Sequence, residues 1–263
     1  MLGKLLKHEF QATSVFLYPA YGAAIASALL NRLILGSADV DAWGSFGAMI
    51  YGLLVALYIM SIFVVVILTL AQIIRRFHSN VLGAEGYVTN ALPVTLRSLI
   101  WAKVIPASVW MLAGLLVIGI SERIMGTDNW VVESFPFFDL GLLFTFFRHE
   151  GIVLALSILT GIATLVMTIL SIYSALSIGH LMRKGRLLWA LLIFMGMGFA
   201  LSSLFMMVLT IVSQIGPITH ILLAGGTTAE VVSFSTVFLG TVIQVIAHYA
   251  ITREILRNKL NLV

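Results

Sequence analysis

The stretch Arg75–Lys103, RRFHSNVLGAEGYVTNALPVTLRSLIWAK, is the longest markedly polar insertion with basic residues at both ends, and it separates two long apolar runs. Inside it Ala84, Tyr87, Val88, Ala91 and Leu92 recur at i, i+3, i+4, i+7 and i+8. That spacing predicts a short helix over about residues 81–92, with Glu85, Gly86, Thr89 and Asn90 opposite its apolar stripe. Pro93 disfavours helical geometry at Leu92 and ends the ladder. Thr95 can then cap a new helix that carries Leu96 onward. A helix this short is marginal alone in water and needs a surface to lie on. Lipid could supply that surface, and so could a soluble partner.

The material on either side settles the class. Of 263 residues 60% are hydrophobic and 10% charged, and the mean hydropathy is +1.09. Soluble domains carry about a quarter charged residues, so the sequence reads as an all-α integral membrane protein. With no cysteine in the chain, thiolate catalysis, zinc–thiolate sites and iron–sulfur clusters are excluded. The net charge of +4 follows from membrane orientation and does not point to nucleic acid. No GxxxxGK[ST] phosphate loop occurs, so the chain has no nucleotide hydrolysis of its own to offer.

Six runs are long enough for a bilayer, which needs about 20 residues: 14–35, 45–74, 99–121, 151–180, 187–212 and 231–251. Residues 1–13 are expected to form a separate amphipathic helix on the interface, with Leu2, Leu5, Leu6 and Phe10 on one face and Lys4 and Lys7 elsewhere. A signal peptide is the competing reading, but the apolar run continues to Leu35, too long for a signal core. With both termini inside, 12 of the 15 Lys and Arg residues lie on the inner side, leaving Arg32, Arg123 and Arg148 outside. The segment 76–98 is then cytoplasmic. Residues 122–150, rich in Phe and Trp, are expected at the outer headgroup level, and 213–230 as a partial re-entrant or surface helix.

Candidate chemistry is sparse. His8 and His78 fall inside, His149 and His220 outside, and His180 and His248 near inner ends, which poises no pair for haem. HExxH is absent, and Ser202-Ser203 has no base near it in sequence. The spans hold almost no ionisable group mid-membrane, which disfavours an ion-coupled carrier.

Six spans, an amphipathic start and a cytoplasmic helix between spans two and three resemble the permease subunit of an ABC exporter of the second exporter type. The likeness is sharpest at Leu82-Gly83-Ala84-Glu85-Gly86-Tyr87, Ala91-Leu92-Pro93-Val94 and Lys103, while Arg97 and Ser98 stand where the pattern often has a second acid. The tail Asn258-Lys259-Leu260-Asn261-Leu262 is similar to short Gram-positive permeases of this kind. The resemblance implies a multi-pass protein of the bacterial plasma membrane, not itself an enzyme, with ATP and Mg held by a separate ATPase subunit. It makes 81–92 a coupling helix in which Val81, Leu82, Ala84, Glu85, Gly86, Tyr87, Val88 and Leu92 meet that ATPase and Pro93 ends the contact. The alternative is a membrane subunit of an enzyme or assembly complex that docks another soluble protein.

Two further expectations concern partners and cargo. The small residues Gly196, Gly198 and Ser202 on the fifth span allow close approach, either to a second permease or within one bundle. Apolar spans, with Met195, Met197, Met206 and Met207 on the fifth, suit an amphipathic or hydrophobic cargo such as an antimicrobial peptide, drug or lipid.

Overall fold

A computed structural model describes residues 2–37, 44–83, 95–125, 151–182, 184–216, 218, 220–221 and 225–258. Among these the chain is helical, with no strand. The six helices are α1 (Leu2–Ser37), α2 (Gly44–Phe77), α3 (Leu96–Met125), α4 (Gly151–His180), α5 (Arg186–Ser213) and α6 (Gly226–Asn258). All six are long and apolar enough to cross a membrane.

The expected spans differ from these helices mainly at their ends. The interfacial helix expected over 1–13 is not a separate element, because α1 runs unbroken from Leu2. No breaker intervenes: Thr13 donates its hydroxyl to the Glu9 carbonyl and Ser14 donates to Gln11 O at 2.9 Å. These hydroxyls are thereby satisfied inside the ladder rather than competing with it. Lys4, Lys7, His8 and Gln11 are nevertheless exposed, and Leu5, Leu6 and Phe10 half-buried. The second span is longer than expected. It continues through a π-helical turn, His78–Leu82, into a rod of 39 residues. At the start of α3 the Ser98 N–H donates to Thr95 Oγ1 at 3.3 Å, the cap the sequence suggests. Gly226–Glu230, expected in an outer connection, form the first turn of α6. The aromatic segment 126–150 lies outside the described residues.

The chain divides into two compact units, and α2 and α3 contribute to both. One unit holds α1, α2 up to Ile73 and α3 from Val109. Lipid tails are as apolar as leucine, so close packing and hydrogen bonds must hold such helices together. Ala24 and Ala28, both 0% exposed, bring the backbone of α1 close to its neighbours. Tyr21 donates to Trp110 O at 2.9 Å and lies 3.2 Å from Thr69 Oγ1. Ser27 Oγ sits 2.8 Å from Ser61 Oγ, and Asn31 Nδ2 donates to Leu54 O at 3.0 Å. These pairs climb α1 as they descend α2, so the two helices are antiparallel. Tyr58 and Ser121, 3.2 Å apart, tie α2 to α3.

The other unit runs from Ile74 to Ser108 and again from Phe144 onward, and in it α4 packs against both α5 and α6. Gly185, at φ 66°, turns the α4–α5 hairpin in a left-handed conformation that favours glycine. Within the hairpin the backbones nearly touch: a Cβ on Gly179 would lie 2.7 Å from Ala190 N and from Arg186 O. Further along, the Phe205 ring fills the space beside Gly240. On α5 a half-buried stripe at Ile193, Met197, Leu201, Phe205 and Leu209 recurs every fourth residue, and most of the remaining surface is exposed.

Gly179 and Gly196 should therefore respond differently to one added methyl group. Gly179→Ala should destabilise the detergent-solubilised protein by about 1–3 kcal/mol, because backbone must move. Gly196→Ala, with open space around its Cβ, should stay within about 0.5 kcal/mol. Thermal denaturation of both variants decides it; equal losses would contradict the close hairpin.

Candidate functional site

The second unit gathers its polar and aromatic side chains where α2 ends and α3 begins. Phe77, the last residue of α2, stacks on Tyr173 of α4 with centroids 4.0 Å apart and planes 8° from parallel. The Tyr173 hydroxyl donates to the backbone carbonyl of Lys103 on α3 at 3.3 Å. One residue further along α4, Ser174 Oγ lies 2.8 Å from His248 Nδ1 on α6. Thr252 and Ser177 return their hydroxyls to His248 O and Tyr173 O, each at 2.8 Å, which keeps their polar atoms satisfied in a buried setting. Trp101 on α3 and Tyr249 on α6 stack at 6.3 Å. Four helices thus meet through side chains at one level.

Lys103 is buried at 5% exposure, an arrangement that is costly unless the ammonium is paired. Lys103 is held within this joint, where its backbone carbonyl accepts from Tyr173, and it is not without partners. Around the buried cluster the helix ends present exposed cations: Arg75, Arg97, Lys184, Arg186, Arg253 and Arg257. Glu254 is the one acidic residue among these helix ends of the unit, among the described residues.

Of the residues expected to meet a partner, Val81 and Leu82 are placed, and they are buried at 2% and 4% exposure. They close α2 rather than open a new helix. With π-type i→i+5 bonding, residues four and five beyond Phe77 both fall near its buried face, and the turn packs on α4. Gly83 then lets the chain leave, because a Cβ there would stand 2.8 Å from Ser79 O. Ala84, Glu85, Gly86, Tyr87, Val88, Leu92 and Pro93 lie outside the described residues. Gly196, Gly198 and Ser202 are exposed, and nothing comes within 4 Å of a Cβ built on either glycine. Those small residues do not pack inside their own helix bundle.

Two features of this end were not visible in the sequence. His78 and His180 approach edge-to-face at 6.0 Å because the π-turn rests on α4. No group of three His, Asp or Glu side chains among the described residues could hold a metal ion. The Ser174–His248 pair has the separation of a nucleophile and its base. Ser174, however, is 0% exposed and also lies 2.9 Å from Ser171 O, and its one proton cannot serve both partners. No substrate reaches that oxygen, and the bond ties α4 to α6.

The described side chains form one packed joint, from which the chain departs at Gly83 and to which it returns at Thr95. Tyr173→Phe keeps the stack and loses a hydrogen bond, and should cost about 0.6–1.7 kcal/mol. Tyr173→Ala also removes the ring, and should cost about 3 kcal/mol or more. Unfolding in mixed detergent measures both, and similar costs would mean the stack contributes nothing. Comparison of the chain with family models, curated proteins and solved structures finds no match.

Proposed function

We propose that the chain is the membrane-spanning subunit of an ATP-driven exporter, with segment 84–94 as the docking element for a separate ATPase. One observation carries the reading most directly. The segment leaves from Gly83 and re-enters at Thr95, and the helices on both sides are tied to Tyr173 of α4. A partner that displaced the segment would push on a joint shared by α2, α3, α4 and α6, moving them as one body. The gathering of exposed cations at that end supports placing it, with both termini, toward the cytoplasm. The predicted apolar stripe of Ala84, Tyr87, Val88, Ala91 and Leu92 provides the contact, and Pro93 ends it.

The exporter works as a dimer of permeases, through the exposed face of α5 that carries Gly196, Gly198 and Ser202. Its cargo is amphipathic or hydrophobic, taken from the membrane or the cytoplasm. Met195, Met206 and Met207 are 57–62% exposed on α5, an adaptable apolar surface with no charge on which a sugar-like molecule could be paired.

Tyr87→Asp should weaken co-purification of the ATPase by at least about 2 kcal/mol, because a carboxylate is buried at the contact. Membrane insertion should be unchanged, and an undiminished pull-down would sink the docking assignment. In this cysteine-free chain Gly198→Cys or Ser202→Cys should cross-link two subunits under oxidation. Absence of a cross-linked dimer from both variants would remove α5 from the interface.

A further inference from the structure

Three helices at the basic end repeat one arrangement: an arginine with an aromatic residue one turn nearer the helix middle. On α3 it is Arg97 and Trp101, on α5 Arg186 and Trp189, and on α6 Arg253 and Tyr249. Residues three or four apart share a helix face, and one turn separates them by about 5.4 Å along the axis. The three arginines are exposed; Trp101 and Tyr249 are half-buried, and Trp189 is 44% exposed. Two of the three columns come into contact, since Trp101 and Tyr249 stack at 6.3 Å with planes 28° apart. Arg97 and Arg253 therefore stand one turn beyond a shared aromatic platform, and both belong to the same compact unit.

We propose that Arg97, Trp101, Tyr249 and Arg253 form a binding site for the headgroup of an anionic phospholipid. Each pair matches one layer of such a molecule. Guanidinium groups bind phosphate oxygens in a bidentate fork and are less strongly hydrated than ammonium groups. Indole and phenol rings prefer the glycerol and ester level, where one edge is wet and the other apolar. Two arginines beside one neighbouring acid, Glu254, leave a net positive site, which favours a lipid with net negative charge over a zwitterionic one. The other cations of this end, such as Lys184, lack a contacting pair of aromatic columns and supply only diffuse attraction. The site shares no residue with the docking segment or with the exposed face of α5.

The test uses the full chain reconstituted in phosphatidylcholine vesicles containing brominated phosphatidylglycerol or brominated phosphatidylcholine. Quenching of Trp101 fluorescence is taken as the difference from Trp101→Phe. The unaltered protein should prefer the anionic lipid, with a preference that shrinks as salt rises. R97Q/R253Q should reduce the preference roughly tenfold, and R97K/R253K, which keeps the charge, should lose part of it. Lys184→Gln should leave it unchanged. Equal loss in Lys184→Gln, or retention in R97Q/R253Q, would overturn the site in favour of a diffuse basic surface. Displacement of the lipid by soluble glycerophosphoglycerol would overturn the membrane lipid as the ligand. So would release of a soluble acidic partner by R97Q/R253Q without change in lipid preference.

Discussion

The stack of Phe77 on Tyr173 is the contact from which the rest of its unit follows. In a bilayer, an apolar helix gains little by exchanging lipid for another apolar helix, so directional contacts decide which helices touch. Tyr173 supplies two at once, a ring face for α2 and a hydroxyl for the α3 backbone. Ser174, about 100° further round α4, faces α6 and meets His248. Two consecutive residues on one helix thereby bind three others. Lys103, buried beside them at 5% exposure, gives its backbone carbonyl to the same joint.

The unit built on α1 obeys the same physics with different side chains. Tyr21, Asn31 and Tyr58 each bond across to a neighbouring helix, and alanines fill the narrow space between. Helix α5 is held differently, by close backbone approach to α4 at Gly179. Its hydroxyls at Thr210 and Ser213 return to its own carbonyls, and little beyond Ala190 and its half-buried stripe touches the bundle. Beyond that hairpin, most of the α5 surface is left exposed.

The π-turn joins architecture to the proposed function. A plain α-helix ending at Phe77 would hand the polar segment to solvent directly. The wider turn instead buries Val81 and Leu82 and releases the chain only at Gly83. The segment thus starts from a rigid point, a condition for any docking event to be felt by the helices.

Much of this protein was legible in residues alone. Runs of some 20 or more apolar residues dictate six spans because backbone polar groups in lipid must be bonded within a helix. The cluster of basic residues between those runs marks one end of the spans as different from the other. The cap at Thr95 was equally local. Helix ends were less legible: nothing in the sequence from Phe77 to Leu82 distinguishes a π-turn from the start of a new helix, since the choice lies in the packing of Val81 and Leu82 on α4. The joint itself was invisible, because Phe77, Lys103, Tyr173 and His248 are far apart in sequence, and neither Lys103 nor His248, though noted there, pointed to the other three. Sequence determines which segments must be helices and which are polar, since those depend on neighbours along the chain. Which helices pair, and therefore that Tyr173 holds three of them, was decided only by tertiary structure, where single hydrogen bonds and ring contacts outweigh the indifferent apolar background.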